Sequence, residues 1–416
     1  KVIIASEEFE ILKKIRENPQ LYKEGIAKKN CNAEIIDKIL AIDKEYRSNL
    51  AEVEFLRAHL NELSQNAKFS QDHLEQARAT KQRIKDLERE LTPIENELDK
   101  LLYQIPNLPF EDVPLGKDES ENKVLREVGK RPKFKFEPQD YLTLTEDKWI
   151  DTKRAAKVAG TRFGYLKNEA VLLEYALVRW VMNSLKEKGF VPIVPPAFIS
   201  SKAMKGMGYI DNEKDLAERY YFPQDDLFLI GTAEQAVGPM HMDEVLEEKE
   251  LPLRYIAFSP CFRREAGSYG KDTKGIWRVH YFEKLEMFIF CKPEQSEEEH
   301  QLILAIEEEL MQKLGLPYRV IQLCTGDLSN PSAKSFDIEA WLPSQNRYAE
   351  THSCSNCTDF QSRRLNIRYR SKDGLQFVHT LNGTAFAIGR IIVAIIENYQ
   401  QADGSIKIPE VLEQYL

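Results

Sequence analysis

Arginines and carboxylates in the middle of the chain are the residues best suited to chemistry on a phosphate. Arg263, Arg264 and Glu265 follow an apolar segment that begins at Ala257, and a Gly- and Lys-rich loop leads from them into residues 278–288. In that second segment apolar and charged residues roughly alternate, which is typical of a strand with one polar face. Two such strands can hold a phosphate with arginine and present a carboxylate to an amine. An ordinary solvated hairpin is the alternative.

Two further segments place polar residues where a predicted strand meets a predicted helix. Residues 227–234 read LFLIGTAE, which puts Thr232 at an N-cap position and Glu234 in the first helical turn. Residues 380–390 pass from a predicted strand through a turn to Arg390, at the start of an apolar helix. Capping alone would explain the first pair, and an arginine at a helix start is usually just solvated.

Cysteine spacing near the C-terminus raises the question of zinc. Cys354 and Cys357 form a single Cys-x-x-Cys within the segment AETHSCSNCTDFQ, and the other four cysteines are isolated in sequence. A structural zinc site needs four ligands, so this pair supplies only half of one. We therefore expect no structural zinc.

These segments resemble the class II aminoacyl-tRNA synthetases, and in detail the seryl-tRNA synthetases of bacterial and organellar type. Residues 257–290 are similar to motif 2, and residues 380–399 are similar to motif 3. Residues 170–196, a predicted helix and strand closed by prolines, are similar to motif 1. The resemblance implies that L-serine is activated with ATP to seryl-adenylate and then transferred to the 3′ end of tRNA(Ser).

The resemblance also implies site residues. The catalytic residues would be Arg263, Arg390 and Glu350. Serine would be bound by Thr232, Glu234, Arg263, Glu286, Asn382 and Thr384. ATP would be bound by Arg263, Arg264, Glu265, Arg278, Phe282, Glu350, Thr351, His352, Ser353 and Arg390. Glu350 and Ser353 would hold Mg²⁺, which prefers hard oxygen ligands.

Several residues depart from the usual family pattern. Arg264 stands where serine is usual, and Thr384-Ala385 replaces a more usual Ser-Gly. The other departures are Trp277, Tyr281 and Thr351-His352. Because Thr384 falls in the implied serine pocket, the reaction class is better defined by these motifs than the substrate is.

Ahead of these segments, the spacing of apolar residues predicts a long helical hairpin. Residues 39–63 and 74–105 repeat apolar residues in alternating steps of three and four, which is a heptad seam. Ser70 is a plausible N-cap of the second helix, and Pro93 should bend or loosen that helix. A dimerisation coiled coil or a plain hairpin is the alternative. The family resemblance implies instead an arm that cradles the long variable arm of tRNA(Ser).

The chain is therefore predicted to be an α+β protein with two domains. Two short helices near residues 9–14 and 21–29 precede the arm, and residues 113–120 read as a polar linker. We expect a helical tRNA-binding domain over residues 1–110. A catalytic domain over residues 111–416 would be built on a mainly antiparallel sheet flanked by helices. Motif 1 implies a homodimer, with a buried edge of the sheet as the alternative.

Composition restricts the setting in which the chain works. The 416 residues are 42% hydrophobic and 30% charged, with a net charge of −9 and six cysteines. No apolar segment approaches the about 20 residues that a membrane span needs, and the first residues do not read as a signal peptide. We expect a cytoplasmic protein without membrane contact, an organellar matrix being the alternative. An acidic net charge still allows a local basic surface that binds RNA.

Two other functions are compatible with the motifs. One is a paralogue that adenylates an amino acid for a carrier other than tRNA, which the long arm disfavours. The other is a catalytically inactive RNA-binding scaffold, which the joint presence of Arg263, Glu286, Glu350 and Arg390 disfavours. An assay of adenylate formation and one of tRNA charging separate the three.

Overall fold

The computed structural model describes residues 9–65, 71–266 and 274–416. The chain divides into two compact units, Lys1–Leu108 and Pro109–Leu416. Each unit has its own hydrophobic core, so each is described by itself.

The first unit is helical. Its helices are α1 (Phe9–Glu17), α2 (Pro19–Ala27), α3 (Glu34–Gln65) and α4 (Gln71–Leu102). Asn18 separates the first two helices and caps the second, because its side chain accepts a hydrogen bond from the Leu21 backbone amide. The predicted long helix pair is confirmed, and α4 continues through Pro93. The predicted cap at Ser70 lies outside the described residues.

The heptad seam between α3 and α4 is buried over only part of its length. Tyr46 and Val53 on α3 pack with Leu87, Leu91 and Leu98 on α4 in one apolar cluster. Leu74, which we expected in the seam, is 46% exposed. The buried part of the seam does not extend to the beginning of α4. The first turns of α4 therefore present their side chains to solvent.

The second unit is built on an eight-stranded sheet in the order β1-β11-β12-β13-β16-β10-β9-β4. All neighbouring pairs in it are antiparallel except β4 with β9. The predicted α+β architecture on a mainly antiparallel sheet is thus confirmed. In chain order the strands are β1 (Lys123–Val128), β2 (Ile150–Asp151), β3 (Tyr165–Leu166), β4 (Val191–Ile193), β5 (Phe198–Ser200), β6 (Tyr221–Phe222), β7 (Leu227–Leu229), β8 (Val245–Glu247), β9 (Leu253–Phe262), β10 (Tyr281–Cys291), β11 (Tyr318–Gln322), β12 (Lys334–Leu342), β13 (Arg347–Asn356), β14 (Arg368–Ser371), β15 (Gly374–Phe377) and β16 (His379–Ala387).

The second unit also contains helices, some of which pack on this sheet and bury its apolar side chains. They are α5 (Tyr141–Thr145), α6 (Thr152–Ala159), α7 (Glu169–Glu187), α8 (Ser201–Met207), α9 (Glu213–Ala217), α10 (Glu234–Val237), α11 (Ser296–Lys313), α12 (Phe360–Leu365), α13 (Ile388–Asn398) and α14 (Glu410–Glu413). The main core joins apolar residues of α7, α11 and α13 to those of the central strands. Among the described residues, no helix has the length and apolar character needed to span a bilayer.

Sheet register places the strongest sequence motifs side by side. β10 lies between β9 and β16, and Glu286 on β10 is opposite Ala257 on one side and Thr384 on the other. β13 joins the far side of β16, where Ser355 is opposite Asn382. Residues far apart in sequence are therefore brought to neighbouring positions of one rigid sheet.

Two expectations about these elements were wrong. Residues 113–120 are not a free linker, because Val113 is buried against Leu323 and Leu328 and Gly116 pairs with Thr325. The sequence of α7 predicts an amphipathic helix with Leu172 on its apolar side, but Leu172 is 57% exposed. The apolar stripe of that helix is narrower than the sequence suggested.

Candidate active site

A cavity of about 270 Å³ opens over β10, β13 and β16, beside the end of β9. It gathers most of the residues that the sequence predicted for a single site. Those that line it are Glu234, Arg263, Glu265, Arg278, Phe282, Glu286, Glu350, Thr351, Ser353, Asn382, Thr384 and Arg390. The remaining lining residues are Tyr209, Ile276, Trp277, Val279, Lys284, Ser329, Ser355, Ala387 and Gly389.

Arg263 is fixed at the end of β9 by contacts on both of its sides. Its Nε donates to the Gly231 carbonyl oxygen at 3.0 Å, and its backbone amide donates to the His280 carbonyl. Its guanidinium lies 5.2 Å from the ring centroid of Phe282. An arginine held in this way presents its remaining N–H donors to the cavity without further reorganisation.

The middle of β10 carries a buried ion pair. Lys284 Nζ lies 2.6 Å from Glu286 Oε2, and both side chains are less than a tenth exposed. The Thr384 hydroxyl on β16 donates to the same carboxylate oxygen at 3.3 Å. Lys284 and Glu286 point to the same face because side chains two residues apart on a strand share a face.

Glu234, at the start of α10, is a second buried carboxylate in this part of the cavity. The Tyr209 hydroxyl donates to its Oε1, whereas its Oε2 has no hydrogen-bond partner among the described residues. Burial, and then the nearby Glu286 carboxylate, raises the pKa of Glu234 to about 7. Lys284, the Tyr209 hydroxyl and Arg263 act in the opposite direction and favour the ionised carboxylate.

Glu350 and Arg390 form the opposite side of the cavity. Arg390 Nη1 donates to the Glu350 carbonyl oxygen at 2.9 Å and lies 3.5 Å from its carboxylate. Nε of Arg390 donates to the Trp277 carbonyl at 3.2 Å. A second, polar cavity of about 870 Å³ adjoins here, and both cavities are lined by Trp277, Arg278, Glu350, Ser353 and Arg390.

Glu265, Arg278 and Phe282 surround the space between these two ends. Arg278 Nη1 lies 2.9 Å from Glu265 Oε2. Glu265 has a φ of 53°, which lies in the left-handed region that non-glycine residues rarely adopt. Such backbone conformations are concentrated at functional sites. A flat ring beside an arginine and a carboxylate provides stacking and hydrogen bonding for a planar heterocycle.

Three predicted site residues do not line the cavity. The Arg264 guanidinium lies over the Tyr220 ring at 5.2 Å. His352 is buried against Phe386, and burial lowers its pKa to about 3, so it carries no charge for a phosphate. Thr232 is buried, and the predicted cap at this residue was wrong: α10 begins after Ala233 without a side-chain cap.

Sequence reasoning missed Tyr209 and Lys284. The strand period could have identified Lys284, because it lies two residues before Glu286. Tyr209 carried no signal, since a loop after α8 brings it to Glu234. Cys354 and Cys357 are both buried thiols, and burial raises the pKa of Cys354 well above its usual range, which disfavours the thiolate that zinc requires. No group of three or more His, Cys, Asp or Glu side chains suited to a metal occurs among residues 9–65, 71–266 and 274–416.

Two family models match separate parts of the chain. The model described as the tRNA synthetase class II core domain (G, H, P, S and T) matches residues 220–399. The model described as the seryl-tRNA synthetase N-terminal domain matches residues 12–109. The two matches fall in the second and the first structural unit.

Whole-chain comparisons agree with these matches. A serine–tRNA ligase of Dictyoglomus turgidum is 44% identical over 414 residues, which cover 97% of each chain. The crystal structure of seryl-tRNA synthetase from Pyrococcus horikoshii complexed with ATP has a TM-score of 0.91 at 41% identity and covers 97% of each chain. That of the cytoplasmic serine–tRNA ligase of Naegleria fowleri with AMP has a TM-score of 0.86 at 32% identity, covering 96% of this chain and 94% of its own.

Proposed function

The chain belongs to the seryl-tRNA synthetase family, and on that premise we propose which of its residues carry the reaction. It is an ATP-dependent ligase that activates serine and joins it to tRNA. The bacterial and organellar subtype stays a prediction. The observation that carries the residue assignment is the convergence of Arg263, Glu286, Glu350 and Arg390, from four different segments, on one cavity.

The cavity can perform adenylate formation by positioning and charge neutralisation. The serine carboxylate attacks the α-phosphate of ATP, the bond from that phosphorus to the bridging oxygen breaks, and pyrophosphate leaves with the electron pair. Arg263 would lie between the serine carboxylate and the α-phosphate, and Arg390 would take charge from the departing pyrophosphate. Phe282 would stack on adenine with Glu265 near its amino group. The second cavity beside Arg390 gives the phosphate chain room.

Serine would bind at the end of the cavity that holds Glu234 and Glu286. Its ammonium group needs an anion, which either carboxylate supplies, and its hydroxyl needs a polar partner such as Thr384 or Asn382. Thr232 is buried outside the cavity lining, and its hydroxyl has no hydrogen-bond partner within the described part of the chain, so a contact with serine would require a local rearrangement. In the second step a ribose hydroxyl at the 3′ end of the tRNA would attack the seryl carbonyl carbon and give its proton to the adenylate phosphate. The bond from that carbon to the phosphate oxygen would break, and AMP would leave.

Magnesium fits the donors beside Arg390. Glu350 and Ser353 offer hard carboxylate and hydroxyl oxygens, and Ser353 is hydrogen-bonded to Asp337, whose other oxygen is buried without a partner in the described structure. Bound there, the ion would neutralise phosphate charge. The same oxygens are unsuited to zinc in a structural site.

The first unit is proposed to bind the long variable arm of tRNA(Ser). Along α4, basic residues at spacings of three and four lie on one exposed face: Arg78, Lys81, Lys85 and Arg89. A stripe of this kind can contact successive phosphates although the whole chain is acidic. We also retain the domain boundary near residue 110.

A homodimer through motif 1 is proposed from exposed apolar residues of that region. On α7, Leu172 and Tyr175 are 57% and 65% exposed, and Val191 and Val194 on and after β4 are 52% and 80% exposed. Large apolar side chains concentrated on one helix and the adjoining sheet edge favour association. The working compartment is proposed to be the reducing cytoplasm, in line with six free thiols.

Shortening the arm tests the division of labour between the units. Residues 54–85 are removed and Val53 is joined to Asp86 by a short Gly-Ser turn, which preserves the buried contacts of Tyr46, Leu91 and Leu98. We expect serine-dependent pyrophosphate exchange within about threefold of the parent and a loss of tRNA charging of at least about 10²-fold. Undiminished charging would overturn the role of the arm.

A further inference from the structure

We propose that Tyr209 is a positioning residue for serine, which holds Glu234 so that its second carboxylate oxygen faces the substrate. The inference rests on the proposed serine pocket and adds to it a residue from outside motifs 1, 2 and 3. Tyr209 follows α8, lies 25 residues before Glu234, and lines the cavity.

The contact has a defined direction. Burial, and then the Glu234 charge, raises the pKa of Tyr209 well above its usual range, so the phenol keeps its proton and donates. Glu234 Oε1 is the acceptor, and Glu234 Oε2 has no partner among the described residues although it is buried. A buried carboxylate oxygen without a donor is costly, which identifies it as the oxygen left for an ammonium or hydroxyl group.

The Tyr209 ring is positioned by a contact with Arg219. The Arg219 guanidinium lies 5.1 Å from the centroid of its ring, on the face of the ring that cations favour. Arg219 also crowds Gly231: a Cβ at Gly231 would lie 2.7 Å from Arg219 Nη1. The Gly231 carbonyl in turn accepts a hydrogen bond from Arg263, the arginine proposed to bind ATP. Arg219 therefore packs against both Tyr209 and the residue that positions Arg263.

The charged groups around Glu234 determine the expected pH dependence. Glu286 and Lys284 face it from β10, Arg263 from the end of β9, and Tyr209 from the loop after α8. The Tyr209 hydroxyl stabilises the ionised form, so its removal shifts the Glu234 titration to higher pH. In this proposal the ionised Glu234 carboxylate, together with Glu286, binds serine's ammonium group, so kcat/KM for serine rises with pH through the Glu234 titration.

Tyr209→Phe tests the proposal in the full-length enzyme by serine-dependent pyrophosphate exchange between pH 6 and 9. The substitution removes one oxygen and keeps the ring under Arg219. We expect KM for serine to rise about 10- to 100-fold near pH 7, with KM for ATP unchanged and kcat within about threefold. The rise of kcat/KM for serine should move to higher pH than in the parent. Tyr221→Phe is the matched control, because Tyr221 lies on the exposed strand β6, its hydroxyl donates to Asp226 in the turn that follows, and neither residue lines the cavity.

An unchanged KM for serine with a superimposable pH profile would overturn the proposal. In that result the parent still exchanges with serine, so the proposed function stands; a parent inactive with serine would refute that function instead. If Tyr209→Phe folds poorly, Arg219→Lys is the second variant, since it keeps the charge but loses the planar group over the ring. It should raise KM for serine by a smaller factor, and no rise would again overturn the proposal.

Discussion

Individual side chains divide the cavity into two ends of different charge. One end is lined by Glu234, Lys284 and Glu286, which line only the cavity of about 270 Å³. The other end is lined by Glu350 and Arg390, which also line the adjoining cavity of about 870 Å³. An amino acid with an ammonium group suits the first end, and a polyphosphate that arrives with a cation suits the second. In the proposed arrangement Arg263 would lie beside both reactive groups.

Replacing Arg263 with lysine should abolish most activity. Lysine keeps the charge but cannot reproduce a planar fork that bonds the Gly231 carbonyl and two anions at once. We expect kcat for pyrophosphate exchange to fall at least about 10²-fold. Arg264→Lys is the control: its guanidinium lies over Tyr220 outside the cavity, so it should stay within about threefold. A larger loss in Arg264→Lys than in Arg263→Lys would contradict the assignment.

Helices and strands were predictable from the sequence where a local residue pattern determines them. The heptads predicted α3 and α4, and the segments around motifs 2 and 3 predicted the strands and the helix α13. Contacts between segments that are distant in the sequence could not be predicted from it. The polar composition of residues 113–120 hid the burial of Val113 against Leu323, and no local signal placed Tyr209 beside Glu234. Thr232 was mistaken for a cap because the position of the helix start was shifted by one residue.

The exposed basic stripe on α4 gives a prediction about that element. A variant with Arg78, Lys81 and Lys85 all changed to alanine should raise KM for tRNA about tenfold or more, with pyrophosphate exchange unchanged. The dependence of tRNA affinity on salt should also become shallower, because fewer phosphate contacts release fewer counterions. The control removes three exposed lysines from the second unit, Lys130, Lys133 and Lys135. If both triple variants lose affinity equally, the stripe has no specific role.

The whole molecule has two units, the first of which is proposed to bind tRNA and the second to form the adenylate. Their connection through residues 105–113 is short, and the second unit has a complete cavity of its own. Adenylate formation should thus be independent of the arm, whereas charging requires both units. A homodimer would contain two copies of each unit.

The proposed dimer is tested by mass in solution. Sedimentation equilibrium should give about twice the chain mass of 48.2 kDa. Val194→Asp places a charge on an 80% exposed apolar position next to β4 and should shift the equilibrium toward monomer. Val124→Asp, on the opposite edge strand β1 and 45% exposed, is the matched control and should leave the mass unchanged. A parent that sediments as a monomer would contradict the dimer.

The cavity around Arg263 is proposed to activate serine. The measurement that bears on this proposal is pyrophosphate exchange into ATP by the parent enzyme with serine, threonine and alanine. Serine should support exchange. Alanine should be lower by at least about 10³-fold in kcat/KM, since it leaves the hydroxyl partners near Thr384 unpaired. Threonine should be excluded by its extra methyl group. Equal exchange with threonine, or no exchange with serine, would contradict the account.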